Sequence, residues 1–306
     1  MRLLICLAQF CLLAAVAPLV SGFITCLKND IRLRRGQSIW QPYYNLAKLF
    51  SKDEVISQNA SWILRVTPYV VLAASLTALG LLSVFAGQPL VQYAGDLFLL
   101  IFLLALGRFF LALAGLDTGS AFTGMGSSRE MFIASFAEPV VFLSVFAVCL
   151  SRGTTDAGNW NGFLLPGIST VVAAVALFLV SLAETSRIPV DNQETHLELT
   201  MIHEAMALEY SGRRLGILES AAHIKQIIFF TIIADCSLAG PFSDCEGWPA
   251  FGANIALLLL KIFGLAVITA VVEVSLAKMR LFRAVDFLTF AGMLSFLSVV
   301  TLALGL

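Results

Sequence analysis

Long apolar runs alternate with short polar connections along almost the whole chain. Eight runs approach or exceed the roughly 20 apolar residues that a helix needs to cross the hydrocarbon core of a bilayer. These runs cover about 3–27, 63–86, 96–116, 131–150, 165–183, 223–241, 250–272 and 284–306. The pattern predicts an all-α polytopic protein with eight transmembrane helices, forming a single integral-membrane domain over residues 1–306. The longest polar segments are 28–62 and 184–222.

Composition supports a membrane protein over a soluble one. Hydrophobic residues make up 59% of the chain and charged residues 13%, about half the charged fraction of an ordinary globular domain. The mean hydropathy is +0.90. Because both long polar segments have membrane spans on either side, we predict no separate soluble domain.

Positive charge alternates from one connection to the next. Fifteen of the 19 Lys and Arg residues lie in or beside the first, third, fifth and seventh connections. The positive-inside rule places such connections in the cytoplasm, so we predict eight helices with both termini outside. All the long connections then face the cytoplasm, where a soluble partner would dock.

The N-terminal segment MRLLICLAQFCLLAAVAPLVSG also resembles a signal peptide, with Arg2, an apolar core and small residues near Ser21. A signal peptide would send the following segment outward, but that segment, KNDIRLRRG, is strongly basic. We therefore favour an uncleaved first span.

One polar connection is unusually rich in acids. The stretch AETSRIPVDNQETHLELTMIHEAMALEYSG, residues 183–212, contains six carboxylates and two of the three histidines. Pro189 interrupts a helix continuing from the fifth span, and Asp191 or Asn192 is the predicted N-cap of a new one. Glu194 and Glu198 would share a face of that helix and repel each other. The expected counter-charges are Arg187, Arg213, Arg214 and Lys225.

Ionisable residues also fall inside the spans, where charge is costly and often marks an ion path. Arg108 and Lys261 lie within apolar runs and are expected to face the bundle interior beside a counter-charge. Glu138, Glu184 and Glu273 lie within or at the edges of spans. Crowded carboxylates at low dielectric have raised, coupled pKa values. A proton relay and a structural ion pair both remain open for each residue, while Glu204 and Glu209 fit a solvated loop surface best.

The motifs of common catalytic sites are missing from the sequence. The histidines of the acid-rich stretch do not form H-E-x-x-H, so we predict no metal site. The glycine-rich segment 115–130 follows a membrane helix instead of a strand, which argues against nucleotide binding and favours tight helix packing. We find no pairing of a nucleophile with a base, and we predict no catalytic residue.

The segment AETSRIPVD resembles subunit 1 of respiratory complex I, whose corresponding loop carries a Glu-Thr-Asn-Arg-x-Pro-Phe-Asp pattern, further glutamates and a Glu-Tyr pair. Arg34-Arg35-Gly36 and Lys48-Leu49-Phe50 are similar to that family's first cytoplasmic loop, and Glu130 to its acid after the third helix. The resemblance covers nearly the whole chain and implies the same eight helices.

RRGQSIWQPYYNLAKLF, RFFLALAGLDTGSAFTGMGSSRE and VEVSLAKMRLF resemble the hydrogenase branch of that family, the membrane subunits of formate hydrogenlyase, hydrogenase-4 and other energy-converting nickel-iron hydrogenases. This resemblance implies a non-catalytic subunit in a prokaryotic inner membrane. It implies a docked hydrogenase large subunit, an iron-sulfur small subunit and antiporter-like membrane subunits as partners. The nickel-iron centre and iron-sulfur clusters are expected in those partners, with no cofactor in this chain.

The resemblance and the positions of the ionisable residues along the chain together give expected roles to individual residues. The expected proton relay comprises Glu130, Glu138, Glu184, Asp191, Glu194 and Glu198. The expected charge partners are Arg108, Arg187, Lys261 and Glu273. The expected docking residues are Arg34, Arg35, His196, His203, Glu209 and Tyr210.

Two functions other than a hydrogenase subunit are possible for such a chain. A quinone-site subunit of a complex I-like NADH dehydrogenase is disfavoured, because the first loop lacks about six residues that help build the quinone chamber. In addition, AKMRLFRAVDFL lacks the Arg-rich pattern that follows the seventh helix in those enzymes. A stand-alone ion carrier is disfavoured because we find neither an inverted repeat nor a broken helix at mid-membrane.

Overall fold

The computed structural model describes residues 2–55, 60–82, 96–155, 167–191, 202–237 and 248–304. The helices within these ranges are α1 (Arg2–Ile31), α2 (Gln41–Phe50), α3 (Trp62–Leu81), α4 (Leu97–Asp117), α5 (Ala121–Arg152), α6 (Ile168–Glu184), α7 (His203–Ala207), α8 (Gly212–Ser237), α9 (Trp248–Ser275) and α10 (Leu281–Ala303). The described part of the chain contains no strand, which confirms the all-α prediction.

Seven helices in the described ranges are long and apolar enough to cross a membrane: α1, α3, α4, α5, α8, α9 and α10. The eighth predicted span corresponds to α6, an apolar helix of 17 residues. Each predicted span therefore coincides with a helix. The count of eight spans and the external termini stay predictions. The helix predicted to begin at Asp191 or Asn192 lies outside the described residues.

Helix α8 lies at the centre of the bundle, with α1, α2, α3, α6 and α9 packed around it. Helix α5 forms a second group with α4, α6 and α10. The apolar core runs through both groups and includes Phe230 and Ile227 of α8, which are fully buried. Polar residues on α8 are consequently enclosed by several helices.

Two short helices lie beside the long ones and shape the functional region. Helix α2 packs on α1 and α8, and the phenol of Tyr43 donates to the backbone oxygen of Ala15. Helix α7 packs against α5 and α4, close to Gly126, where an added Cβ would lie 2.7 Å from the Ala205 Cβ.

The start of α3 is linked to the end of α4 because Asp117 accepts hydrogen bonds from the backbone nitrogen and the hydroxyl of Ser61.

Candidate functional site

A buried arginine joins two of the carboxylates that the sequence assigns to a relay. Arg108 of α4 donates from Nη1 to Glu138 Oε1 of α5 over 3.2 Å, and from Nη2 to Glu184 Oε2 at the end of α6. Lys225 of α8 lies 2.8 Å from the same Glu184 oxygen. Arg108 and Glu184 are buried, so opposite charges are held together where water screens them little. Glu184 is thus surrounded by cations, whereas the sequence predicted crowding by other carboxylates.

Glu138 extends this network to the outside of the bundle. Its side chain is 46% exposed, against 7% for the Arg108 side chain that it contacts. It lies near the middle of α5, and its neighbours Ser135 and Phe142 on the same helix face are also exposed. The network therefore runs from the interior of the bundle to its membrane-facing surface.

A second buried network connects the loop after α6 to α9, α1 and α8. Arg187 donates to Glu273 over 2.8 Å, and Lys28 lies 3.1 Å from the other oxygen of that carboxylate. Arg187 also donates to Gln226 Oε1 over 2.8 Å, and Ser21 donates to the same oxygen over 2.7 Å. All five residues are buried. This polar cluster fixes the loop against three helices that are distant in sequence.

Asp191 holds two connections between helices together. Its Oδ1 accepts from Lys278, in the connection between α9 and α10, over 2.8 Å. Its Oδ2 accepts from the backbone nitrogens of Ile202 and His203 over 3.1 and 3.2 Å. Three hydrogen bonds to the charged form explain how a buried carboxylate is accommodated here.

Both networks border one cavity of about 590 Å³, which we call the central cavity. Its walls come from α1, α2, α3, α4, α5 and α8 and from the segments around Ser186 and α7. The ionisable residues that line it are Arg108, Glu130, Glu184, Arg187, His203, Glu204, Tyr210, Glu219, His223 and Lys225. Glu130 also acts electrostatically on Arg108 and His203. Carboxylates predicted for a relay thus share a space large enough for water or a ligand.

Two groups of α7, at one end of this cavity, have shifted pKa values. Burial, together with the neighbouring carboxylates Asp191 and Glu219, raises the pKa of Glu204 to about 7 against the opposing effect of Lys278. Burial lowers the pKa of His203 below its ordinary value. Glu204 can therefore exchange protons near neutral pH. The sequence favoured a solvated loop surface for Glu204, whereas its side chain is half-buried and lines the central cavity near two other acids.

The predicted docking residues divide between surface and interior. Arg34 and Arg35 are exposed on the connection between α1 and α2. Tyr210 is 5% exposed and lies in the wall of the central cavity, so its docking role stays a prediction. His203 and Glu209 are partly exposed, and His203 faces the cavity. The remaining predicted residues, Glu194, His196 and Glu198, lie outside the described part of the chain.

The cations that the sequence predicted as counter-charges each pair with a different carboxylate. Lys225 contacts Glu184, Arg187 contacts Glu273, and Arg214 contacts Glu54 over 3.1 Å. Lys261 of α9 is buried and experiences the charge of Asp235 on α8.

Several residues of the site were missed by the sequence analysis: Ser21, Lys28, Glu219, His223, Gln226, Asp235 and Lys278. One available signal was the spacing of Glu219, His223 and Gln226. Residues four and three apart share one helix face, and this polar face of α8 borders the central cavity.

Comparisons with known proteins agree with this architecture. The NADH dehydrogenase family profile matches residues 3–304. Formate hydrogenlyase subunit 4 of Escherichia coli K12 is 33% identical over 289 residues, which cover 92% of this chain and 92% of the relative. Hydrogenase-4 component C of the same organism is 32% identical over 292 residues, covering 94% of this chain and 91% of the relative.

More distant similarities complete the picture. NADH-quinone oxidoreductase subunit 8 of Rhodothermus marinus is 24% identical over 260 residues, covering 80% of this chain and 75% of the relative. A chain of the membrane-bound sulfane sulfur reductase, an archaeal respiratory membrane complex, superposes with a TM-score of 0.82 at 20% identity. The match covers 98% of this chain and 99% of that one, and it establishes a shared fold.

Proposed function

Because this chain belongs to the NADH dehydrogenase family, we propose that it is the membrane-anchoring and proton-coupling subunit of an energy-converting nickel-iron hydrogenase. One observation carries the proposal: two hydrogenase subunits match it at 33% and 32% identity over more than nine-tenths of each chain. The quinone oxidoreductase relative is 24% identical over less of both chains. The hydrogenase interpretation is therefore better supported than the complex I alternative. The chain is a multi-pass protein of the inner membrane.

In this proposal the hydrogenase and iron-sulfur subunits dock on the cytoplasmic connections, where Arg34 and Arg35 are exposed. Electron transfer in the docked subunits changes the charge near Asp191, which holds Lys278 and the start of α7. Glu204 responds by exchanging a proton, because its pKa of about 7 lies near the working pH. Each pKa unit corresponds to about 1.4 kcal/mol of coupling.

The perturbation then crosses the central cavity to the membrane-facing surface. Glu130 acts on Arg108, and Arg108 contacts both Glu184 and Glu138. Half-exposed Glu138 lies where an antiporter-like subunit would contact α5. A carboxylate on a lipid-facing helix surface is unfavourable, which supports a protein neighbour at this position.

The test is Glu138→Gln in the assembled complex. We expect normal assembly and hydrogen evolution from an artificial low-potential donor within about two-fold of wild type, with proton uptake into inverted vesicles lost. The matched control is Glu54→Gln, which removes a partly exposed, ion-paired carboxylate outside the network. Wild-type proton uptake by both Glu138→Gln and the double variant with Glu184→Gln would rule out the relay. Loss of hydrogen evolution on addition of a quinone-site inhibitor would instead favour a quinone-reducing complex.

A further inference from the structure

Two cavities meet at the predicted cytoplasmic end of the bundle. Beside the central cavity lies a polar basin of about 690 Å³, bordered by the end of α1, the first connection, the loop after α6 and α9. We call it the cationic basin, because its charged lining consists of Lys28, Arg32, Arg34, Arg35 and Arg187 with the acids Asp191 and Glu273.

The acids of the basin are already neutralised by other contacts. Glu273 accepts from both Lys28 and Arg187, and Asp191 from Lys278. Arg34 and Arg35 are exposed, and neither forms an ion pair with a carboxylate within the described ranges. The basin therefore keeps a positive potential that attracts an anion.

The exposed lining becomes less polar from the cationic basin to the central cavity. The residues that border both spaces are Thr25, Gln37, Asn45, Ser186 and Arg187. The first four supply uncharged hydrogen-bonding groups at the junction, and Arg187 supplies a cation. Beyond the junction the exposed lining of the central cavity is mostly apolar. The apolar wall includes Val71, Ala74, Leu104, Leu111 and Leu218. The volume of this cavity lies within the range of about 300–1,000 Å³ typical of ligand sites.

We propose that an anionic phospholipid of the surrounding membrane occupies both spaces. Its phosphate lies in the cationic basin, its glycerol esters at the junction and one acyl chain in the central cavity. A quinone headgroup is uncharged and would leave the basin charges unused, and an acidic peptide would leave the apolar cavity unfilled. The acyl chain excludes water from the cavity wall that holds Arg108 and Glu184. The isolated chain can bind this lipid without its partner subunits. A test of lipid binding is therefore independent of the test of proton coupling.

The first measurement is native mass spectrometry of the full chain purified in mild detergent. We expect one anionic phospholipid to remain bound under activation that removes all other lipids. The delipidated chain is then titrated with phosphatidylglycerol, phosphatidylcholine and palmitate. Phosphatidylglycerol should bind most tightly, because only it combines a net anionic phosphate with glycerol esters and acyl chains.

Two variants separate the headgroup from the chain. Arg34→Gln with Arg35→Gln removes two interfacial cations and should weaken phosphatidylglycerol binding about 30-fold at low salt. Ala222→Phe should abolish binding, because Ala222 is an exposed residue of α8 that lines the central cavity. The matched controls are Arg213→Gln and Ala47→Phe, which change exposed residues that line neither space. Both controls should bind as wild type does.

Four outcomes would overturn the proposal. These are a wild-type chain that retains no phospholipid, a retained quinone in its place, palmitate binding as tight as phosphatidylglycerol binding, or equal phosphatidylglycerol affinity in all variants. The last outcome would identify the lipid as part of the general annulus around the bundle. Since Ala222→Phe leaves every basin charge in place, it tests the site even if the double arginine variant fails to fold.

Discussion

Three acids between the end of α6 and the start of α8 illustrate how the surroundings of a carboxylate decide its chemistry. Glu184 is held between Arg108 and Lys225, and Asp191 accepts hydrogen bonds from Lys278 and two backbone nitrogens. Glu204 has the acids Asp191 and Glu219 as neighbours, and its pKa rises to about 7. Only Glu204 therefore combines desolvation with net repulsion, which makes it the proton-exchanging member of the three.

Glu204→Gln should change the pH dependence of stability. A raised folded-state pKa means that the native protein binds this proton more tightly than the unfolded chain. Stability from this group is fully present below pH 4.5 and is lost as pH rises through about 7. The amide cannot ionise, so at pH 8 the variant should unfold about 2 °C above wild type, with the difference vanishing near pH 5. Thermal unfolding in detergent at both pH values measures this, and a difference that does not change with pH would contradict it.

Glu273→Gln should destabilise the bundle strongly. The substitution leaves Lys28 and Arg187 buried without their carboxylate, and removing one partner of a buried ion pair costs about 3–5 kcal/mol. The free energy of unfolding gives the cost. Glu54→Gln, which disrupts the more exposed pair with Arg214, should cost about 1 kcal/mol or less. Equal losses in the two variants would show that the Glu273 cluster adds no special stability.

Individual site residues were predictable only where the sequence itself marked them. Arg108 and Glu184 stood out because charge is rare within apolar spans, and the structure brings them into contact. Lys28, Lys278 and Ser21 carried no such mark, since a cation or a serine near a helix end is ordinary. Their importance comes from contacts with residues far along the chain, such as Glu273 and Gln226, which local patterns do not encode.

At the scale of elements, a glycine allows a close contact between two helices at the site. Gly126 of α5 lies against α7, where an added Cβ would come within 2.7 Å of Ala205 and 3.1 Å of the Ile202 backbone oxygen. Helix α7 carries His203 and Glu204, so this contact sets the position of both groups beside the central cavity. The predicted role of the glycine-rich segment in close packing is consistent with this geometry.

Gly126→Ala should therefore displace α7 and lower stability. We expect a loss of about 1–3 kcal/mol from overpacking. Gly124→Ala is the matched control two residues away, because a Cβ there meets nothing within 4 Å, and alanine is the better helix former. The unfolding temperature of Gly126→Ala should fall, and that of Gly124→Ala should rise or stay unchanged. A loss of stability in Gly124→Ala as large as in Gly126→Ala would contradict this account.

The long helices were predictable because a membrane span is a local property of about 20 residues. The short helices α2 and α7 were not. Helix α7 has five residues, too few for a periodic pattern, and it depends on Asp191 and Gly126 for its position. The helix predicted to begin near Asp191 lies outside the described residues. The carboxylate of Asp191 accepts hydrogen bonds from the backbone at Ile202 and His203, where α7 begins.

At the scale of the whole molecule, the charge distribution predicts which end of the bundle faces the cytoplasm. The cationic basin, Arg34, Arg35 and the Asp191 cluster lie together at one end. Ser38, between α1 and α2, is exposed at this end of the bundle. Thr155, in the connection after α5, is exposed at the opposite end.

Cysteine labelling in whole cells tests this orientation. Ser38→Cys should react with a membrane-impermeant maleimide only in inverted vesicles, and Thr155→Cys only in intact cells. Both positions are exposed, and the parent chain with its native cysteines measures the background. Labelling of Ser38→Cys in intact cells would place the basin on the outer face, where no cytoplasmic subunit could dock.

The half-exposed Glu138 has a consequence for biogenesis. A newly inserted copy presents this carboxylate to lipid, with Arg108 covering only its inner side. The unassembled subunit is therefore less stable in the bilayer than the assembled one. The exposed carboxylate also gives membrane proteases a polar group by which to recognise the unassembled subunit. We expect orphan copies to be short-lived, and Glu138→Leu to prolong their lifetime in pulse-chase experiments when neighbouring genes are deleted.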